Sequence, residues 1–322
     1  DGFRGLACCF VVMSHLGHAG LTGQINMAGI GKYGVGCFFI LSAYLMMKIT
    51  MEKDFNGTDY WISFFKSRFK RIYPLFTLVC LGFYAVGIII KDFSFTLSDV
   101  INNLALIDGY RHLWAIPIEF KFYIIFPFLF FIIRYFCFRV LDVLFLWFLT
   151  LALSLFIEYE TLNLLKYLNL FVLGVLSYIL SVNKEVVGYF VKHKDKESFV
   201  MLLVVIGLVL CIPQVFSLFF YKVEYDFLHD YIGVYSLLWV PIIMMIIINK
   251  KSRTAIFFSS IFLDYIGKRS YSIYLLHPFV MYYSKSIDSK WLAILVFMVV
   301  TLLITEISYR FIEMRFTNKV SV

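Results

Sequence analysis

Charge is scarce in this sequence. Only 16% of its 322 residues are Asp, Glu, Lys or Arg, against about a quarter in a soluble globular chain. The apolar share is high instead, at 61% with 20% aromatic and a mean hydropathy of +0.85. That excludes an ordinary soluble domain. Metal-type cysteine spacing is also lacking. Cys8, Cys9, Cys37, Cys80, Cys137 and Cys211 lie in or beside apolar segments, with no Cys-x-x-Cys and no Cys/His pattern suited to zinc. They read as reduced, buried small hydrophobes, and no metal is expected. A nucleotide loop, a zincin motif and a nucleophile elbow are absent too. No cleavable signal is recognisable. The chain starts at Asp1 without a methionine, so N-terminal residues are expected to be missing. With no soluble domain, low-complexity tract or clear repeat, residues 1–322 read as one membrane-embedded domain.

What the sequence has is long apolar runs. Ile72–Ile90, Phe199–Cys211, Val234–Ile248 and Leu292–Ile304 are examples suited to crossing a bilayer. The patterning predicts an all-α polytopic membrane protein of about ten transmembrane helices. They fall near 4–20, 33–50, 72–90, 115–134, 139–157, 162–182, 198–213, 231–249, 268–285 and 291–313. The fifth and sixth are joined by a very short connection at Glu158 and Glu160. The longest polar connections are Glu52–Lys70, Asp92–His112, Asn183–Glu197 and Tyr221–Asp230. With both termini placed in the cytoplasm, the inner loops carry roughly three times as many Lys and Arg as the outer ones, as the positive-inside rule requires. Outside fall only Lys32, Lys91, Arg111, Lys166, Lys222, Lys285 and Lys290, while Lys319 joins the inner set. The net charge of +8 follows from that rule. The basic residues are spread over many loops, so no nucleic-acid partner is expected.

Charged and polar residues inside a membrane helix are costly and usually functional. In DGFRGLACCFVVMSHLGHAG, eleven residues separate Arg4 from His15, close to three helical turns. Both therefore lie on one face with Cys8, about 16 Å apart along the axis. That puts His15 in the outer half of the membrane, as an imidazole available for proton transfer. The competing reading is an interfacial histidine, which suits His18. In FFKSRFKRIYP, Arg68 and Arg71 are neighbours on a helix face where the chain re-enters the membrane. Two guanidinium forks suit a phosphate; a plain positive-inside anchor is the alternative. In HLWAIPIEFKFYIIFP, Pro117 marks a helix start with Glu119 in its first turn. Glu119 lies about 22 Å above the cytoplasmic side, counted from Arg134, so a His15–Glu119 pair is geometrically allowed. An ion pair of Glu119 with Lys121 or Arg111 is the structural alternative. In GKRSYSIYLLHP, Ser270, Tyr274 and His277 form a polar stripe, and Pro278 is expected to kink the helix and free a carbonyl. Helix–helix hydrogen bonding explains the same stripe. Glu306, Arg310 and Glu313 read as a structural salt-bridge ladder.

In this order and at these spacings, the motifs resemble acyltransferase family 3. Its opening Asp-Gly-x-Arg-Gly helix ending in histidine is matched by DGFRGLACCFVVMSH. The Gly-Val-x-x-Phe-Phe-x-Leu-Ser helix is matched by GVGCFFILSAY, and Arg-x-x-Arg-Ile-x-Pro by RFKRIYP. LWAIPIEFKFY, SYSIYLLHP and the closing YRFIE complete the set. The chain departs from the family's pattern in three places. Many members carry two adjacent acidic residues where this chain has Glu119–Phe120, a Gln where it has Lys121, and Ser-Gly where it has Ser42–Ala43. Some relatives add an extracytoplasmic hydrolase-like domain, for which these 322 residues leave no room.

The resemblance implies an integral membrane O-acyltransferase in a bacterial cytoplasmic membrane. It would move an acyl group, most often acetyl, from cytoplasmic acetyl-CoA to a hydroxyl of a surface polysaccharide or its lipid-linked precursor. His15 would be the general base and Glu119 would orient or stabilise its imidazole. Arg68 and Arg71 would hold the donor phosphates, with Arg4 completing the vestibule. Ser42, Tyr274 and His277 would line the substrate path. Two rival readings use the same buried charges: a transporter of a lipid-linked saccharide or small anion, and a sensor that kept the fold without the chemistry.

Overall fold

The computed structural model describes residues 1–22, 28–53, 57–89, 95–136, 139–157, 162–219 and 231–317. The sequence readings at Lys91, Cys137, Glu158, Glu160, Lys222 and Lys319, and the Arg111 side chain, lie outside the described residues. Among these residues there is no strand, so the chain is all-α as expected. In chain order the helices are α1 (Gly2–His18), α2 (Gly31–Glu52), α3 (Thr58–Ile89), α4 (Leu97–Leu104), α5 (Ala115–Phe136) and α6 (Val140–Phe156). Then follow α7 (Leu164–Val182), α8 (Lys184–Lys192), α9 (Glu197–Leu210), α10 (Pro213–Phe219), α11 (Ile232–Tyr235) and α12 (Trp239–Ile248). The last are α13 (Arg253–Phe258), α14 (Ile261–Lys268), α15 (Ser270–Ser284), α16 (Lys290–Ser308) and α17 (Met314–Thr317).

Helical residues occur in each expected segment, but helix length and apolarity do not reproduce a count of ten spans. Among the described residues, five helical stretches are long and apolar enough to cross a membrane: Gly31–Glu52, Thr58–Ile89, His112–Phe136, Leu164–Val182 and Lys290–Phe316. A sixth arises if the α9–α10 pair, bent by 83° at a short break, counts as one span. Val140–Phe156 and Ile232–Ile248 are apolar but shorter.

Several segments differ from expectation, two of them next to the charged motifs. α3 begins at Thr58, well before residue 72, so FFKSRFKRIYP lies inside a 32-residue helix and Pro74 is internal. Hydropathy marks where a chain turns apolar, whereas backbone hydrogen bonding continues wherever the residues tolerate a helix. The polar connection before His112 contains α4, started by a reciprocal cap. Thr96 Oγ1 accepts from the Asp99 N–H at 3.3 Å, and Asp99 Oδ2 accepts from the Thr96 N–H at 2.6 Å.

The chain divides into two compact units. The first comprises Asp1–His18, Thr22–Lys53 and Phe128–Lys268; the second comprises Ala19–Leu21, Asp54–Pro127 and Arg269–Val322. In the first, glycines let helices meet backbone to backbone. A Cβ on Gly5 would stand 2.1 Å from the Leu263 carbonyl oxygen, one on Gly34 2.2 Å from that of Ala7, and one on Gly174 2.1 Å from that of Ile40. These contacts seat α1 on α14, α1 on α2 and α2 on α7. The glycine of the opening Asp-Gly-x-Arg-Gly pattern at position 5 is therefore a packing residue.

In the second unit, side chains tie the elements together. Tyr73 donates its hydroxyl to the Leu104 carbonyl at 3.1 Å, joining α3 to α4. Tyr271 donates to the Ile72 carbonyl at 2.7 Å, joining α15 to α3. Arg269 meets Glu306 through Nε to Oε2 at 2.5 Å and Nη2 to Oε1 at 3.2 Å, and its guanidinium lies 4.6 Å from the Tyr309 ring centre. A π-helical turn spans Tyr309–Glu313. Around it Glu306 also accepts from Arg310 at 2.5 Å, while Glu313 accepts from Ser272. The predicted ladder of Glu306, Arg310 and Glu313 thus reaches out to α15 at two points.

Candidate functional site

In the second unit the structure joins two motifs that are 51 residues apart in sequence, counting from Arg68 to Glu119. Arg68 projects from α3 so that its guanidinium carbon lies 5.6 Å from the Phe64 ring centre and 5.9 Å from that of Tyr123. Both are within cation–π range. Tyr123 stands one turn beyond Glu119 on α5 and donates its hydroxyl to Glu119 Oε1. One buried tyrosine thus touches the arginine with its ring and the carboxylate with its hydroxyl. Arg68 Nε is buried and has no hydrogen-bond partner among the described residues. A guanidinium held on aromatic faces with a donor to spare is suited to an anionic oxygen. Arg71, three residues on, is half-buried. Arg71, Glu119, Tyr123 and Glu313 are all within electrostatic range of Tyr271.

A second cluster in this unit involves α15. Tyr274 donates its hydroxyl to the His112 carbonyl, and the His112 ring lies 6.0 Å from that of Tyr274 and 5.9 Å from that of His277. His112 belongs to a 3₁₀ turn, Arg111–Trp114, that leads directly into α5. His277 is fully buried, and its Nδ1 lies 2.8 Å from the Ile273 carbonyl oxygen. A carbonyl only accepts, so Nδ1 carries a proton. Pro278 sits within the helix, as expected, and removes the usual helical donor to the Tyr274 carbonyl.

Arg4, His15 and Ser42 belong to the first unit. Arg4 pairs with Asp1 at 3.8 Å. His15 is half-buried on α1 beside Ser14, which is fixed from both sides. Ser14 Oγ accepts from the Gly29 N–H at 3.0 Å, and its carbonyl lies 2.8 Å from His18 Nδ1. His18 itself is exposed. Ser42 is half-buried on α2. The adjacent Ala43 is fully buried where Gly174 leaves room for its methyl group. A cavity of about 260 Å³ in the first unit is lined by Asp1, Tyr44, Ser259 and Asp264 among others, and by none of the eight candidate residues. No cluster of three or more His, Cys, Asp or Glu side chains able to hold a metal occurs among the described residues.

Three residues of this arrangement escape the sequence reading: Tyr123, Tyr271 and His112. Each lies in a motif already singled out. Tyr123 is i+4 from Glu119, a spacing that puts the two on one helix face. For Tyr271 and His112 the partners are remote in sequence and no local signal points to them.

The chain matches, over residues 1–310, the family model described as an acyltransferase domain, that of acyltransferase family 3. Among curated proteins it is similar to the O-acetyltransferase OatA of Staphylococcus aureus strain NCTC 8325, at 26% identity over 97% of this chain and 56% of that protein. It is also similar to a protein of S. aureus strain COL, provisionally named as an O-acetyltransferase, at 24% identity over 99% of this chain and 57% of that protein. The chain thus spans little more than half the length of these relatives. No solved structure matches it. On a family match that runs from the opening DGFRG to the first two residues of the closing YRFIE, this chain belongs to acyltransferase family 3.

Proposed function

We propose that the chain is the membrane-embedded part of an O-acyltransferase that takes acetyl from acetyl-CoA on the cytoplasmic side. The acceptor is a hydroxyl of a cell-surface polysaccharide or its lipid-linked precursor. The single observation that carries the reading is the Arg68–Tyr123–Glu119 arrangement, a half-buried cation whose buried Nε has no partner among the described residues, placed one side chain away from a carboxylate. Such a site suits the phosphates and thioester of an acyl-CoA. The family and the names of its relatives support the same reading.

In the proposed reaction the acceptor oxygen attacks the thioester carbonyl. A C–O bond forms, the C–S bond breaks, and the coenzyme A sulfur leaves with the proton that the hydroxyl gives up. His15 takes that proton and passes it to the sulfur. Arg68 and Arg71 hold the donor, and Arg4 keeps its donor-binding role on the motif pattern alone. Glu119 keeps its role as the partner of His15 on the motif pattern alone, and Ser42, Tyr274 and His277 keep theirs as lining of the path. The ten-span topology with both ends in the cytoplasm of a bacterial inner membrane is part of the same proposal, as is a single functional domain.

The test is acetyl transfer and acyl-CoA binding by the protein in native membranes. His15→Ala is expected to abolish acetylation of the surface glycan, read by mass, while labelled acetyl-CoA still binds. A wild-type protein that binds no acyl-CoA, or glycans unchanged in every class when the protein is removed, overturns the reading. The first of those outcomes is the one a transporter predicts.

A further inference from the structure

The GVG step of α2 plays no part in the chemistry above. Gly34 is used for close packing, but Gly36 opens onto something else. A Cβ there would stand 3.3 Å from Ser236 Oγ. Ser236 is fully buried, in a 3₁₀ turn, Ser236–Leu238, that interrupts the helical run between α11 and α12. One turn earlier, a Cβ on Gly233 would stand 2.5 Å from Asn169 Oδ1 on α7. Asn169 is 1% exposed. Its Nδ2 donates to the Lys166 carbonyl at 3.3 Å, which leaves Oδ1 turned toward the α11 turn.

Neither Asn169 Oδ1 nor Ser236 Oγ has a hydrogen-bond partner among the described residues. Three other buried Ser and Thr hydroxyls of this unit behave differently. Ser154 donates to the Leu151 carbonyl at 2.7 Å, Ser177 to that of Leu173 at 2.8 Å, and Thr150 to that of Leu146 at 3.0 Å. Such back-bonding is how a helix in an apolar setting satisfies a hydroxyl. Ser236 departs from it beside a position that carries no side chain and within one turn of an acceptor. Buried polar atoms in apolar surroundings are costly unless bonded, and a small molecule with both O–H donor and oxygen acceptor satisfies them together.

We propose that Gly36, Asn169 and Ser236 build an internal hydration site, a seat for ordered water within the first unit. Asn169 Oδ1 accepts from the water and Ser236 Oγ exchanges a hydrogen bond with it. Gly36 is glycine because a methyl group would fill the seat. The 3₁₀ turn is what aims Ser236 at it. This inference does not rest on the acyltransferase reading.

Radiolytic hydroxyl labelling of the purified, intact protein tests it, because buried side chains are oxidised where water is bound beside them. Tyr235 and Trp239, both buried and flanking Ser236, serve as reporters. Exposed Tyr189 and buried Phe171 serve as high and low controls. The expected result is labelling of Tyr235 or Trp239 severalfold above Phe171, falling to the Phe171 level in Asn169→Leu with Ser236→Ala. Gly36→Ala keeps both polar groups and should reduce the labelling as well, so a double variant that fails to fold does not end the test. Tyr189 labelling should be unchanged throughout. Reporter labelling equal to Phe171 in the unaltered protein, or unaffected by Gly36→Ala in a folded sample, overturns the proposal.

Discussion

The two units differ in how closely their helices approach one another. In the first, helices touch through glycine. Gly5, Gly34 and Gly174 bring backbones so close that no Cβ fits. Its ion pairs Lys48–Glu52, Arg139–Asp142 and Lys268–Asp264 are each within a turn of helix, and side chains also cross between elements, as Gln214 does to the Ala28 carbonyl and Glu197 to the Thr254 N–H. In the second, the helix contact at Gly82 is ordinary, 3.4 Å from a would-be Cβ to the tip of the Phe279 ring. There the cohesion comes from polar side chains that cross between elements, such as Arg269–Glu306 and Tyr271–Ile72. Close packing tolerates no added volume, whereas a polar network tolerates volume and fails when a charge loses its partner.

The largest expected effect breaks the first unit. In Gly174→Ala the methyl carbon meets the Ile40 carbonyl oxygen at 2.1 Å and the Tyr44 nitrogen at 2.9 Å. Both are backbone atoms that cannot swing away. Overpacking of a well-packed core costs about 1–3 kcal/mol and occasionally more, and this site belongs at the upper end. The variant should lose its monodisperse peak in detergent. Gly82→Ala, the same change in the second unit, should elute and melt like the parent protein. Equal damage from both would remove the distinction between the units.

Next comes a cut in the polar network. Arg269 and Glu306 side chains are 13% and 23% exposed. Glu306→Gln leaves a mostly buried guanidinium without its carboxylate. Fully buried pairs lose about 3–5 kcal/mol when broken this way. With partial screening of this pair, about 1–3 kcal/mol is expected, read as a lower thermal midpoint of the purified protein. Glu306→Asp should recover part of the loss.

A smaller effect is expected at Tyr123, where stability and activity should separate. Tyr123→Phe keeps the ring beneath Arg68 and deletes the hydroxyl that Glu119 accepts. A hydrogen bond to a charged group contributes about 1.5–3 kcal/mol. If it holds Glu119 in place for the reaction, kcat should fall about tenfold or more while KM for the acyl donor stays near the parent value. Tyr123→Leu removes ring and hydroxyl, and should raise donor KM as well. A rise in donor KM in Tyr123→Phe alone would show that the hydroxyl serves the donor and not the carboxylate.

Much of this contrast could be read from the sequence, but unevenly. Apolar periodicity located most of the long apolar helices to within a few residues, because lipid-facing and core-facing positions are both apolar and the signal is strong. It placed the start of α3 too late, because Thr58–Arg71 is polar yet helix-compatible. Motif spacing drew attention to Arg68 and Glu119 separately. That Tyr123 links them depends on how α3 packs on α5, which no local period encodes. The tight glycines were visible as letters in DGFRG and GVG, but their partners, Leu263 and Ala7, are carbonyl oxygens with no sequence signature. The polar stripe of Tyr274 and His277 was legible as a stripe. Its partner, His112, is remote in sequence, and Tyr274 reaches its backbone, which any residue type at that position would offer.

The smallest expected effect is also the sharpest discriminator, because it changes one partner of Glu306 and spares the other. Arg310 meets Glu306 Oε1 at 2.5 Å, as short as the Arg269 contact, but its side chain is 67% exposed. Distance alone would rank the two arginines equally. Solvation separates them. An exposed guanidinium is already well solvated, and holding its long side chain in one geometry offsets most of the Coulomb gain, so such i,i+4 pairs contribute only about 0.3–0.5 kcal/mol. Arg310→Ala should therefore leave the thermal midpoint within about a degree or two. Arg269→Ala should approach the loss seen with Glu306→Gln, since it strands the carboxylate and also vacates the face of Tyr309. If Arg310→Ala proved as damaging as Arg269→Ala, the cohesion of the second unit would reside in the surface ladder of α16 and its π-helical turn, and the crossing between α15 and α16 would be incidental to it.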